Sequence, residues 1–257
     1  MKQPYYESDE GLSQYLLFHY GTEQDISSER FVPKKALSFP VQCVSTTLAR
    51  LSIPSNERAL DVGCAVGRSS FELARRFTQV IGVDFSQRFV TAARRLAKKG
   101  SVTIERVDQG ELASRIELSV PPDIDRSRVR FTRGDAEKLP SRLGAFDVVL
   151  ASNLICRLRH PSRFLDRLPA LVRPDGLLVL TTPSTWKEIH TPRAHWVGGF
   201  NREGHAVRTL DGLREQLEPT FRLLRRLDLP MVIREHQRKF EYVIVEATVW
   251  RRSGGRS

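Results

Sequence analysis

Cysteine is scarce. The 257 residues hold three, Cys43, Cys64 and Cys156, odd in number, far apart and never in a Cys-x-x-Cys pair. With no His-x-x-x-His spacing either, a structural zinc cage is excluded, no metal is expected, and reduced thiols are. Long apolar runs are also missing: none approaches the roughly 20 residues of a membrane span, so no membrane partner is expected. The opening MKQPYYE lacks the apolar centre of a secretory signal and carries an early acid, which points to a cytoplasmic protein. Repeats and low-complexity tracts do not occur. Lys and Arg outnumber Asp and Glu by 41 to 30, a net charge of +11, yet no basic stripe interleaved with aromatics appears. Pairs such as Arg75-Arg76, Arg94-Arg95 and Lys98-Lys99 are scattered over expected helix faces, so the charge is diffuse and a nucleic-acid partner is not expected.

What is present is the composition of a soluble globular chain, 40% hydrophobic and 28% charged, at a length near the upper end of what one core organises. The expected division is an N-terminal helical extension or lid over 1–55, one main domain over 56–251 and a flexible tail over 252–257. Ser8-Asp9-Glu10 reads as a helix start, with Leu12, Tyr15, Leu16, His19 and Tyr20 on one face before Gly21 stops it. A second helix is expected from Pro40. From Arg58 short apolar runs alternate with helical stretches, the pattern of stacked βαβ units. The spacing predicts strands over 59–62, 80–83, 129–132, 146–151 and 177–181, with helices over 68–77, 87–98, 161–171 and 210–217. Runs over 221–229 and 240–249 are joined closely and should close a mostly parallel sheet as an antiparallel pair. Two long insertions, 100–128 and 183–208, stand outside the alternation and are candidates for substrate contacts.

Asp61-Val62-Gly63-Cys64-Ala65-Val66-Gly67 joins the first strand to a helix beginning at Arg68-Ser69. Glycines there permit a tight turn and close approach of a ligand to a helix N-terminus, which implies a nucleotide-like ligand. The spacing is not that of the dinucleotide motif. Asp84 ends the second strand, before Phe85-Ser86, where a carboxylate can accept both hydroxyls of a ribose. Arg133-Gly134-Asp135-Ala136 and Asn153-Leu154 end the next two.

On these residues the chain resembles class I S-adenosylmethionine-dependent methyltransferases, whose acid-x-Gly-x-Gly-x-Gly is matched by Asp61, Gly63 and Gly67, with Ala65 in place of the middle glycine. The resemblance implies an α/β, Rossmann-like fold with a mostly parallel seven-stranded sheet, helices on both faces and an N-terminal helical extension. It implies S-adenosylmethionine as cofactor and S-adenosylhomocysteine as product. It would place Asp84 on the ribose, Phe85 against adenine, Asp135 with Ala136 at the adenine amino group, and Asn153-Leu154 beside the methionine part. Asp61, Gly63, Cys64, Gly67, Arg68, Ser69 and Ser86 would complete the cofactor site.

A narrower resemblance rests on Tyr5-Tyr6-Glu7-Ser8-Asp9, Tyr15-Leu16-Leu17-Phe18-His19-Tyr20-Gly21, Asn153-Leu154-Ile155-Cys156-Arg157-Leu158, the run from Ile233 to Phe240, and Glu246-Ala247-Thr248-Val249-Trp250. Over nearly its whole length the chain is similar to the methyltransferases of ovothiol biosynthesis. That resemblance implies N-methylation of the imidazole of 5-thiohistidine (4-mercaptohistidine) to ovothiol A. It implies a stand-alone form that relies on a separate sulfoxide synthase and lyase upstream. Another small-molecule acceptor is the alternative. A nucleic-acid methyltransferase is less favoured, since the paired-proline signature after the fourth strand is absent.

For the acceptor, the candidates are Tyr15, His19, Arg157, Trp196, Arg234 and His236, with Tyr5, Tyr6, Trp186, His190, Arg193 and His195 in the same segments. Arginine suits a carboxylate through its fork, and His or Tyr can hydrogen-bond an imidazole. His19, Tyr20 and Asn153 are the expected catalytic residues, His19 or a neighbouring tyrosine serving only as a weak base or to fix a tautomer. The first helix is expected to act as a lid carrying His19 and Tyr20.

Overall fold

The period-2 alternation of each apolar run decides which side chains go to which face of the sheet. Along residues 58–62, Ala59 enters one apolar layer and Leu60 and Val62 the other. In the computed structural model, which describes residues 5–27, 32–218 and 220–254, the N-terminal part folds as α1 (Asp9–Tyr20), α2 (Glu23–Ile26) and α3 (Phe39–Ser45). The alternating region then gives β1 (Arg58–Val62), α4 (Arg68–Leu73), β2 (Gln79–Asp84), α5 (Gln87–Lys99), the hairpin β3 (Ser101–Gln109) and β4 (Leu112–Ser119), β5 (Val129–Arg133) and β6 (Phe146–Ser152). It continues through α6 (Pro161–Leu165), α7 (Leu168–Leu171), β7 (Val172–Thr182), the small hairpin β8 (Phe200–Arg202) and β9 (His205–Val207), α8 (Thr209–Leu217), β10 (Phe221–His236) and β11 (Lys239–Arg252).

Seven strands form one sheet in the order β10-β11-β7-β6-β1-β2-β5. Six run in one direction, β7, β6, β1, β2 and β5 pairing in parallel, while β11 runs antiparallel between β7 and β10. The expected α/β, Rossmann-like sheet with helices on both faces is therefore observed. One apolar layer packs α1, α3, α4 and α5 against the sheet through Phe18, Phe39, Phe71 and Phe89. The other packs α6, α7 and α8 through Phe164, Leu168 and Leu213. Because β1 lies mid-sheet and the chain leaves it on either side, the carboxyl ends of β1, β2, β5 and β6 converge on one edge, where α/β proteins bind ligands.

Several expectations are corrected. The tail is not a uniform unit: Arg252 belongs to β11, the Ser253 amide donates to the Thr220 carbonyl at 2.8 Å, and residues 255–257 lie outside the described residues. The helix expected over 68–77 ends at Leu73, with buried Phe77 beyond it closing the layer. The insertion 100–128 is largely a β-hairpin on α1, α5 and β10. There Arg106 reaches the Asp25 carbonyl, and Asp108 pairs with Arg106 and Arg234.

Candidate active site

The turn after β1 is built by three left-handed residues, Gly63 (φ 74°), Ala65 (φ 47°) and Gly67 (φ 92°). At Gly67 packing forbids any side chain, for a Cβ would lie 2.5 Å from the Phe131 ring. Ala65 occupies the left-handed region that costs an L-residue about 1 kcal/mol. Its amide is held in return, donating to Asp84 Oδ2 at 2.8 Å. The Gly63 and Cys64 amides donate to the Val83 carbonyl at 2.8 and 3.1 Å, so the turn is fastened across β2.

Two carboxylates flank this turn. Asp84 accepts Ala65 N–H on one oxygen and Ser86 N–H on the other, at 2.8 Å each, leaving a lone-pair direction on both for further donors. Burial holds its carboxyl above the usual range, against those two amide bonds. Asp61 is fully buried, accepts Ser70 Oγ–H on Oδ2 at 2.6 Å, and leaves Oδ1 with no partner. Burial pushes its pKa up to about 7, opposed by the Ser70 bond and aided by Asp84.

The other strand ends add apolar and capping groups. Phe85 is 67% exposed, its ring free to take a planar ligand, with the Arg133 guanidinium 5.6 Å from the ring centre. Asp135 caps a short turn by accepting Glu137 N–H at 2.9 Å, with buried Ala136 between them. Leu154 covers Gly63 closely. Asn153 holds a positive φ of 51° and its Oδ1 accepts Thr181 Oγ1–H at 3.0 Å.

These residues fit an adenosine bearing an amino-acid tail. Asp84 offers free lone pairs for a diol, Phe85 an open ring, and Asp61 a buried oxygen lacking a donor. Three assigned residues turn their side chains elsewhere: the Cys64 thiol is buried, Arg68 pairs with Glu72 at 2.8 Å, and Ser69 Oγ–H donates to the Pro40 carbonyl at 2.9 Å. Backbone is what they present at the turn.

The N-terminal segment crosses this edge. The Tyr6 carbonyl accepts Ser86 Oγ–H at 2.9 Å, Glu7 accepts Gln87 N–H at 2.9 Å, and Asp9 pairs with Arg88. Farther along, Tyr20 O–H donates to the Val66 carbonyl at 2.8 Å, and His19 Nδ1 accepts Arg68 N–H at 3.4 Å. Burial, then the Arg68 charge, pulls the His19 pKa down to about 3, and burial raises that of Tyr20 well above the phenol range. Both side chains therefore brace the turn and α4, and a neutral imidazole already accepting a hydrogen bond makes a poor base near neutrality.

Among the acceptor candidates, Tyr15 and Arg157 come together with Tyr6 and His190, and His19 lies 6.0 Å from Tyr15 between ring centres, whereas Trp196, Arg234 and His236 are taken up by other partners. Tyr15 stacks near Phe89 (4.8 Å between ring centres) and edge-on to Tyr6 (5.7 Å). Arg157 Nη1 donates to the Cys156 and Thr185 carbonyls at 3.3 Å, and its guanidinium also engages the Tyr6 side chain. Trp196 instead braces the insertion 183–208, donating to the Thr191 carbonyl and stacking on Trp186. Arg234 is buried in bonds to the Val107 carbonyl and Asp108, and His236 sits at the β10–β11 turn accepting Arg238 N–H. Tyr6 stands out only once folded; its signal in the sequence was the cluster of tyrosines near the start. Among the described residues no group of three or more His, Cys, Asp or Glu could hold a metal.

Fold and site together define an S-adenosylmethionine-dependent class I enzyme. Residues 40–220 match the methyltransferase-domain family, and the chain belongs to that family of S-adenosylmethionine-dependent methyltransferases. Among curated relatives, the ubiquinone biosynthesis O-methyltransferase of Bradyrhizobium diazoefficiens is 32% identical over 131 residues, covering 51% of this chain and 42% of that protein. An S-adenosylmethionine-dependent Diels-Alderase of Neonectria is 30% identical over 122 residues, covering 44% and 49%. The chain thus spans less than half the length of these relatives. Of the solved structures, magnesium protoporphyrin IX methyltransferase from Synechocystis with bound S-adenosylhomocysteine superposes with a TM-score of 0.59 at 19% identity, over 97% of each chain. The N-methyltransferase NodS of Bradyrhizobium japonicum gives 0.53 at 13% identity, over 94% and 98%. At such identities the likeness is one of fold.

Proposed function

We propose that the chain is a small-molecule N-methyltransferase that methylates an imidazole nitrogen of 5-thiohistidine, giving ovothiol A and S-adenosylhomocysteine. Its substrate would come from a separate sulfoxide synthase and lyase. The observation that carries a small acceptor is the strap of residues 5–20, fastened at Ser86, Gln87, Arg88, Val66 and Arg68 across the cofactor edge. A roofed edge with Tyr6, Tyr15 and Arg157 at its acceptor side suits a compact polar molecule. The resemblance of this strap and of residues 153–158 to ovothiol methyltransferases supports the particular acceptor. Against a nucleic-acid substrate, much of the arginine charge is paired locally, as in Arg173 with Asp147 and Glu57, and Arg202 with Glu215.

S-adenosylmethionine supplies a methyl group on a sulfonium, open to in-line displacement. The protein's part is then alignment and exclusion of water. Asp84 would hold the ribose hydroxyls, the unpartnered Asp61 oxygen would accept from the cofactor's amino-acid end, and the strap would keep the acceptor beside Asn153-Leu154. No covalent nucleophile is needed. The three thiols are buried, and burial pushes Cys43 up to about 12 and raises Cys64 and Cys156. A neutral imidazole attacks with its own lone pair, and the ring proton released afterwards passes to solvent.

Sulfur is the softer nucleophile in the acceptor, so methylation at nitrogen requires geometric control, with the nitrogen about 3 to 3.5 Å from the methyl carbon. Mass spectrometry of a reaction with S-adenosylmethionine and 5-thiohistidine, followed by proton NMR of the product, tests the reading. An N-methyl product is expected. Exclusive S-methylation, or no methylated thiohistidine, would overturn it.

A further inference from the structure

Arg157 lies just past the carboxyl end of β6, three residues beyond the cofactor-side Leu154 and partly buried. A guanidinium removed from water is costly unless its donors are matched; half-buried Arg58 and Arg126 are each held by two backbone carbonyls, whereas the buried Arg68 and Arg234 meet acids, Glu72 and Asp108. Arg157 meets none: among the described residues its recorded partners are the Cys156 sulfur, the Cys156 and Thr185 carbonyls, and Tyr6. Its surroundings are cationic as well. His190 comes from the insertion after β7, and its pKa is lowered by burial and then by the Arg157 and Lys187 charges. Facing Arg157 from the strap are two phenols. Burial, then the neighbouring Tyr6, raises the Tyr15 pKa well above the usual value, so the Tyr15 hydroxyl stays protonated at physiological pH, hydrogen-bonded to the Tyr6 side chain.

A partly desolvated cation with one nitrogen anchored on backbone, the linked Tyr6 and Tyr15 phenols beside it and, among the described residues, no carboxylate paired with it is a receptor for an anion. We propose that Arg157, with Tyr6 and Tyr15, binds the carboxylate of the methyl acceptor, and that Tyr6 is a specificity-determining residue delivered by the strap. The proposal rests on the methyl-transfer reading of this edge, and it fixes the substrate class as a small carboxylic acid. The clamp also joins the two halves of the site. The Tyr6 carbonyl is tied to Ser86, whose amide donates to Asp84, so the same strap residue touches the cofactor side through its backbone and the acceptor side through its ring.

The test compares each acceptor with its carboxylate-free counterpart, 5-thiohistidine against the corresponding thiolated histamine, on wild type, Arg157→Gln and Tyr6→Phe. Wild type should prefer the acid by about 10- to 100-fold in kcat/KM, the range of a charge-assisted hydrogen-bonded contact. Arg157→Gln should abolish that preference, mainly through KM, and Tyr6→Phe should reduce it several-fold. The S-adenosylhomocysteine Kd and the melting temperature should stay at wild-type values, which separates a clamp from a folding defect. Retention of the full wild-type preference by Arg157→Gln would overturn the proposal. If 5-thiohistidine is not methylated but another acid in a panel of small amines, imidazoles and phenols is, the ovothiol reading fails while the same comparison on that acid still decides the clamp. Calorimetry of histidine binding to the protein saturated with S-adenosylhomocysteine reads the site without turnover. Weaker binding by Arg157→Gln supports the clamp, and absence of binding to histidine and to every acid of the panel refutes it.

Discussion

Asp61 offers a test in which stability and function move in opposite directions. Its carboxyl is buried with one oxygen unpartnered, and its pKa stands near 7 where an unfolded chain would have about 4. Holding it protonated up to pH 7 means that ionising it costs roughly 4 kcal/mol more in the folded protein than in the unfolded one. The sign follows from proton counts. Between pH 4 and 7 the native state keeps a proton that the unfolded state has lost, so this group's contribution to stability declines as pH rises through that window and is flat above it. Asp61→Asn replaces the ionisable oxygen by a neutral amide of the same shape, and its carbonyl can still accept the Ser70 hydroxyl. Urea denaturation of the ligand-free protein should show the variant more stable than wild type by about 2 to 4 kcal/mol at pH 8 and nearly equal to it at pH 4. The same variant lacks the charge that would face the cofactor's ammonium group, so calorimetry should give a weaker Kd for S-adenosylhomocysteine, by about tenfold or more. Equal stability at pH 8, or wild-type cofactor affinity, would refute the assignment of Asp61 as a strained carboxyl kept for the ligand.

Asp84→Ala should weaken cofactor binding by about 1.5 to 3 kcal/mol in calorimetry, since both ribose hydroxyls lose a charged acceptor. His19→Gln should leave any pH–kcat limb between pH 5 and 8 where wild type has it, because a residue whose pKa is about 3 does not titrate there; disappearance of a limb would restore His19 as a base. Deleting residues 1–20 should lower stability by about 5 kcal/mol or more, since Leu16, Leu17 and Phe18 are built into the core, and denaturation of the truncated chain measures it. Arg234→Ala should destabilise by about 1 to 3 kcal/mol by removing a buried side chain and the donor to the Val107 carbonyl, Asp108 keeping Arg106 and Ser114, whereas Arg226→Ala, which removes an exposed pair with Glu246, should leave the denaturation midpoint almost unchanged.

Local chemistry made the glycine turn and the strand-end carboxylates legible. Gly67 is dictated by its own left-handed turn, Asp61 and Asp84 by their places at strand ends, and the strands by alternation, all within a few residues of chain. The insertion 100–128 was harder to read because the alternation of β3 and β4 is interrupted by charged residues that point to solvent or to Arg234. The acceptor side depends on partners far apart in the chain. Nothing near Arg234 in the sequence announces that Asp108, 126 positions away, will occupy its guanidinium. Nothing near His19 announces that the Arg68 amide, 49 positions on, will take its lone pair.

The sequence by itself determined the seven strands of the main sheet, the glycine turn and the two strand-end carboxylates, because each follows from periodicity or backbone conformation over a short stretch. Only the tertiary structure decided which of several equivalent arginines, histidines and tyrosines are tethers and which remain available for a ligand. An arginine has the same side chain wherever it falls, and its role is set by whether folding brings it an acid, as for Arg234, or carbonyls and phenols alone, as for Arg157.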